Sequence, residues 1–252
     1  MTDQMAKAYI NMKGVLRALT YLCDLDHAAG ELIQGADVTV QFSVRHGPAA
    51  RLVFKGGKCT FEDGKGRSNI KLWFPTPEKF NGMMDGKGNP TILKGFTKLG
   101  FLMKTFTHLT KRLEYFLKPG EDTVQDEAFR TISTLLTFYT AFNALPEIGM
   151  HDPVGKIIMQ KGGNGQLCVS IADTDYNVRL KVAKGQINTL DASDGSPEMQ
   201  LVFSSLEKTN DVLNGKRDFI TAIGYGDVKV KGYIPVMMSV EHLVPRLANY
   251  FK

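Results

Sequence analysis

The feature that most constrains this chain is an internal repeat. Asn69-Ile70-Lys71-Leu72-Trp73-Phe74, then Glu78-Lys79, Asn81 and Gly86-Lys87, recur in part 129 positions later. The partners are Leu201-Val202-Phe203, Glu207-Lys208, Asn210 and Gly215-Lys216. Upstream, Arg51-Leu52-Val53-Phe54 matches Arg179-Leu180-Lys181-Val182 at an offset of 128, and Val40, Phe42 and Val44 match Leu167, Val169 and Ile171 at 127. Downstream, His108-Leu109-x-x-Arg112-Leu113 matches His242-Leu243-x-x-Arg246-Leu247 at 134. An offset that drifts upward through small insertions is the trace of a diverged tandem duplication. At 252 residues the chain can hold two domains, each with its own core. The repeat predicts one copy over 1–120 and a second over 121–252. Lys118-Pro119-Gly120-Glu121-Asp122 would join them, since Pro and Gly stop the preceding helix.

Each copy opens with helical spacing. In the first it runs over roughly Gln4–Leu22, with Ile10, Val15, Leu16, Leu19 and Leu22 apolar; in the second over roughly Asp126–Leu145, with Phe129, Ile132, Leu135, Leu136 and Tyr139. Three strands follow in each. They are expected near Val38–Val44, Ala50–Phe54 and Lys58–Glu62, and near Gln166–Ile171, Asn177–Val182 and Gln186–Leu190. His46-Gly47-Pro48, Gly56-Gly57 and Lys184-Gly185 supply turns. A fourth strand is expected at Asn69–Phe74 and at Met199–Phe203.

Residues 199–232 carry the most specific signal. Met199, Leu201 and Phe203 alternate as a half-buried strand does. Ser204 or Ser205 can cap a helix that ends at Asn214-Gly215. Gly226-Asp227-Val228-Lys229-Val230-Lys231-Gly232 alternates again and closes on glycine. A Gly-Lys after a helix, a short helix with Ala-Phe-Phe, then Gly-x-Leu-x-Ile-x-Gly is the pattern of the sterol carrier protein 2 family. The chain resembles that family through Gly215-Lys216, Ala222-Ile223 and 226–232, with no gap. It departs at Asp218-Phe219 for the family's Asn-Pro, at Gly224 for an aromatic, and at Tyr233 for an Asn. In the first copy Gly86-Lys87-Gly88-Asn89-Pro90 fits the family's Gly-Lys-x-Asn-Pro. Thr91–Gly95 then stands for the short helix and Phe96–Gly100 for the last strand, in a segment two or three residues shorter. The resemblance covers nearly the whole chain, most strongly 69–117 and 165–251. It implies an α+β fold: two tandem domains, each a mainly antiparallel five-stranded sheet covered by helices.

Chemistry-bearing motifs are sparse. His27, His46, His108, His151 and His242 show no paired-ligand spacing, and no nucleophile elbow or phosphate loop is present. His108 and His242 recur, which is the one feature favouring an enzyme; a structural histidine at a helix start is the competing reading. Asp24 with Asp26, and Asp173 with Asp175, read as solvated turn formers rather than paired carboxylates. Cys23, Cys59 and Cys168 are widely spaced and suggest reduced thiols. No catalytic residue, cofactor or metal is therefore expected. The composition, 43% hydrophobic and 23% charged, is that of a globular chain, with no apolar run of spanning length and no signal-peptide core at MTDQMAKAYINMKG. The end, Asn249-Tyr250-Phe251-Lys252, is not a peroxisomal address, and the expected location is the cytoplasm. Residues 1–124 carry 18 Lys+Arg against 12 Asp+Glu, whereas 125–252 carry 13 against 14. The basic first half suggests transient contact with an anionic membrane surface; unclustered cations exclude nucleic acid as the expected partner.

What remains is an apolar surplus near the end of each copy. Met83, Met84, Phe96, Phe101, Leu102, Met103 and Phe106 crowd the first; Ile220, Ile223, Tyr225, Ile234, Val236, Met237 and Met238 crowd the second. Val212 and Leu213 flank the second set. Each copy closes with a helical stripe: Leu109, Leu113, Phe116 and Leu117, then Leu243, Leu247, Tyr250 and Phe251. These residues are either core, with the last helix a simple cover, or the lining and lid of an apolar tunnel. The resemblance implies the tunnel, and with it a non-enzymatic carrier of fatty acid, acyl-CoA or sterol-like ligands. The alternative is an accessory or scaffold module with filled tunnels that serves a partner enzyme of lipid or quinone metabolism.

Overall fold

The computed structural model describes residues 3–120, 126–190 and 195–251. It divides into two compact units, Met1–Leu136 and Thr137–Lys252. Glu121 and Asp122 of the expected linker lie outside the described residues. The division falls inside a helix because Phe129, Ile132 and Leu136 pack into the first unit's core, and the Ser133 hydroxyl donates to the Phe116 carbonyl at 2.7 Å.

In the first unit, α1 (Gln4–Ile10) runs through a π-helical stretch, Asn11–Leu16, into α2 (Ala18–Leu25), and α3 (His27–Ile33) follows. The single helix expected over Gln4–Leu22 is thus interrupted by wider turns around Gly14, which widen the register without ending the helix. Strands β1 (Asp37–Val44), β2 (Ala49–Lys55), β3 (Lys58–Asp63), β4 (Ile70–Phe74) and β5 (Thr91–Lys94) form one sheet in the order β3-β2-β1-β4-β5. Helix α4 (Pro77–Met84) joins β4 to β5, and α5 (Thr107–Leu117) is the last helix wholly within the unit. Burial alternates along β2 and β4, so one sheet face is covered. Phe42, Phe54, Phe74, Leu52 and Leu72 lie at its centre.

In the second unit, α6 (Glu127–His151) leads into α7 (Pro153–Lys161). Strands β6 (Gly165–Ile171), β7 (Asn177–Ala183), β8 (Gln186–Leu190), β9 (Met199–Phe203) and β10 (Val228–Gly232) form a sheet ordered β8-β7-β6-β9-β10. Helices α8 (Leu206–Leu213) and α9 (Phe219–Gly224) lie between β9 and β10, and α10 (Ile234–Glu241) and α11 (Val244–Tyr250) close the unit. Helix α6 overruns its expected end at Leu145, although Pro146 removes one backbone donor. Phe138, Phe142, Leu145 and Ile148 are buried on both sides of the proline, and that burial outweighs one missing hydrogen bond.

The two sheets share strand order and direction, and register in every pairing but the last, where β4–β5 shifts and β9–β10 does not. In each, the central strand pairs parallel with the fourth strand: Val40, Phe42 and Val44 sit opposite Ile70, Leu72 and Phe74, as Leu167, Val169 and Ile171 sit opposite Met199, Leu201 and Phe203. The other three pairings in each are antiparallel. The sheets are therefore mixed.

The expected elements of residues 91–100 are reversed. Thr91–Lys94 is the edge strand, and Phe96–Lys98 is a 3₁₀ turn, followed by a π-helical stretch at Phe101–Phe106. Pro90 biases the chain toward extended backbone, and the counterpart of α9 is missing. Two glycines mark the true correspondence. Gly95 (φ 105°) and Gly232 (φ 109°) each end the last strand against the start of the fourth. A Cβ on Gly95 would sit 2.9 Å from the Asn69 carbonyl oxygen, and one on Gly232 only 2.0 Å from that of Glu198. Both helix-ending Gly-Lys pairs also match, with Gly86 at φ 72° and Gly215 at φ 70°. The first unit takes nine positions from Gly86 to Gly95; the second takes seventeen from Gly215 to Gly232.

Candidate functional site

The last helix of each unit is fastened to the rest of that unit by a carboxylate at a helix start. Asp26 ends α2 in an extended conformation and caps α3, accepting from the Ala29 N–H at 2.9 Å. The same carboxylate takes both Nε and Nη2 of Arg112 on α5, the latter at 2.7 Å. In the second unit Asp152 caps α7, accepting from the Gly155 N–H at 2.8 Å. It also accepts from Arg246 Nη2 at 2.7 Å and from the Tyr250 hydroxyl at 2.5 Å, both on α11. Asp26 and Asp152 are buried. Burial pushes the Asp152 carboxyl up, but the bonds from Arg246, Tyr250 and Gly155 outweigh it and hold its pKa below the ordinary value. The guanidiniums of Arg112 and Arg246 are held above theirs by the hydrogen bond to their carboxylates.

Asp26 is therefore not the solvated turn former the sequence suggests. The Arg112/Arg246 repeat was visible, but its partners lie 86 and 94 positions away. Asp-x-x-Ala and Asp-Pro at the starts of α3 and α7 are helix-start signals that could have found them. His108 and His242, the other repeated pair, are exposed. Among the described residues no group of three or more His, Cys, Asp or Glu could hold a metal ion.

Inside this frame the first unit gathers much of the apolar surplus. Leu109 and Leu113 on α5 are buried, and Met83, Met84, Phe101 and Phe106 pack half-buried against the same core. Phe106 lies 5.7 Å from Phe42, and Phe101 lies 5.1 Å from Phe54, ring centre to ring centre, on the covered face of the sheet. Phe96 and Met103 point outward and are exposed. In the second unit Val236, Leu243 and Leu247 are buried, while Val212, Leu213, Ile223 and Met237 are half-buried. Ile220, Tyr225, Ile234 and Met238 are exposed. An open groove of about 380 Å³ lies beside the Asp26–Arg112 pair, lined by Ala28, Leu32, His108, Lys111, Arg112 and Tyr115. Among the described residues no helix is long and apolar enough to cross a membrane.

No protein-family model and no curated protein matches the chain. Solved structures similar to it include the sterol carrier protein domain 2 of Helicoverpa armigera, at 16% identity and TM-score 0.36, over 45% of this chain and 89% of that one. A ubiquinone synthesis protein, UbiJ-SCP2, is similar at 19% identity and TM-score 0.32, over 42% and 85%. Sterol carrier protein 2 from Yarrowia lipolytica is similar at 17% identity and TM-score 0.31, over 42% and 88%. Likeness at this level assigns neither activity nor ligand.

Proposed function

We propose that this chain is a non-enzymatic lipid carrier built from two copies of one domain, holding an acyl chain, acyl-CoA or a polycyclic lipid between sheet and last helix. The observation that carries the reading is the adaptable layer in the first unit. Met83, Met84, Phe101 and Phe106 cover the sheet without being fully buried. Unbranched thioether side chains and tilted rings repack around ligands of varied shape. A lipid that separated them from the sheet would gain about 0.8 kcal/mol for each CH₂ removed from water. The carboxylate–guanidinium pair fastens α5 to the corner between α2 and α3, and on this reading α5 serves as lid and the layer as lining. The motif resemblance of 69–117 and 165–251 supplies the ligand class. Contact with anionic membranes through the basic first half would let the carrier load and unload. Titrating delipidated protein with a fluorescent fatty acid tests the reading. Saturable binding supports it; no binding of acyl or sterol probes refutes it.

A second reading is an accessory module with a filled interior that serves a partner enzyme of lipid or quinone metabolism. Complete burial of Leu109, Val236 and Leu243 by the protein's own side chains favours it. An empty protein that binds no lipid probe but copurifies with a lipid-modifying enzyme would support it.

A further inference from the structure

The segment from Thr91 to Phe106 presents two faces of opposite character. Ile92, Phe101, Leu102 and Phe106 turn inward against the core. Leu93, Phe96 and Met103 turn outward and are 58%, 66% and 74% exposed. The outward set is not the frayed edge of a core. Pairing of β4 with β5 shifts register between Lys71 and Leu72, so that Lys71 faces Lys94 while Leu72 faces Ile92. Leu93 is the residue left over in that bulge, and a bulge on an edge strand re-aims a side chain away from the ladder. β10, the last strand of the second unit, pairs with β9 without such a shift.

The charge around these side chains is of one sign. Between Asp85 and Glu114 there is no acidic residue, while Lys87, Lys94, Lys98, Lys104, Lys111 and Arg112 are present. Lys94 is engaged with the Ser68 carbonyl and Arg112 with Asp26. Lys98 and Lys104 are exposed and alternate along the chain with Phe96 and Met103. Exposed large apolar groups interleaved with lysines suit a surface that is apolar beneath and anionic on top, which is the headgroup region of an anionic bilayer.

We propose that Leu93, Phe96 and Met103, flanked by Lys98 and Lys104, form a docking segment that inserts shallowly into anionic phospholipid bilayers. The proposal deepens the carrier reading: the same segment that faces lipid outside contributes Phe101 and Phe106 to the apolar layer within. Docking there would place the membrane beside the lining.

Flotation of the full chain with vesicles tests it. Vesicles of equimolar phosphatidylcholine and phosphatidylglycerol should carry the protein at low salt, and phosphatidylcholine alone should carry far less. Each near-surface cation contributes about fivefold, so K98E/K104E should lower partitioning at least about 30-fold. It should leave the thermal midpoint and fatty-acid probe binding unchanged. L93S/F96S/M103S should weaken partitioning comparably, with circular dichroism checking the fold. Wild-type protein that ignores anionic vesicles, or variants that bind them as wild type does, would overturn the proposal. Fatty-acid binding without vesicles is read separately. Its loss in the wild type would refute the carrier reading while leaving docking to stand or fall on flotation.

Discussion

At the scale of single residues, the two buried carboxylates matter more than any exposed ion pair. Asp152 satisfies an arginine, a tyrosine hydroxyl and a helix-start N–H at once. Replacing it by Ala removes all three bonds, so Asp152→Ala should cost about 3 kcal/mol in chemical denaturation. Glu114→Ala, which breaks the exposed pair with Lys118, should cost under about 0.5 kcal/mol. The pH dependence follows from the sign of the shift. Asp152 has a depressed pKa in the folded chain, so its contribution is present above the unfolded value, near 3.9, and is lost as pH falls through the folded one. The stability gap between wild type and Asp152→Asn should therefore narrow from pH 7 toward pH 2. Thiols give another check. The Cys59 thiol is pushed up by its hydrogen bond with Cys23 and by burial, and Cys168 is pushed up by burial. Cys59 is buried whereas Cys168 is only partly so. Alkylation of the native protein should therefore reach Cys168 first, as peptide mapping would report.

At the scale of elements, local signals and tertiary demands part company in identifiable places. β8 and β9 occupy the residues their alternation predicts, Gln186–Leu190 and Met199–Phe203. Ser205 caps α8 and Gly215 follows its end, as the Ser and Asn-Gly signals require. Residues 91–100 depart from the motif because the first unit lacks the short helix that the motif places before the last strand. The glycine that closes each last strand would have anchored the alignment correctly. That glycine is also the sharper test of the shared topology. Gly232→Ala would hold a side chain at a positive φ of 109° and against the Glu198 carbonyl, and should cost more than about 3 kcal/mol. Gly95→Ala should cost somewhat less, and Gly215→Ala, with open space around it, about 1 kcal/mol. Thermal melts of the three variants should rank in that order. Helices α3 and α7 are not legible from periodicity, because each is short and follows a longer helix after one capping residue. The Asp–Arg pairs escaped for a plainer reason: contacts 86 and 94 positions apart leave no local pattern.

At the scale of the whole molecule, two units repeat one strand order but treat their apolar surplus differently. Each leaves part of it outside, Leu93, Phe96 and Met103 in the first and Ile220, Tyr225, Ile234 and Met238 in the second, but the first also packs Phe101 and Phe106 ring to ring on Phe54 and Phe42 beside Met83 and Met84. A list of apolar residues could be written from the sequence, but not this division, because burial depends on which strand or helix each residue joins. On the carrier reading proposed above, this difference points to the first unit as the lipid-holding one. Native mass spectrometry of the protein as purified, followed by extraction and lipid identification, tests that claim most directly. The account predicts one bound lipid per chain, lost when Met84 and Phe106 are both replaced by Ala. A protein that is empty as purified, and remains empty after incubation with fatty acid, acyl-CoA and sterol, would contradict it.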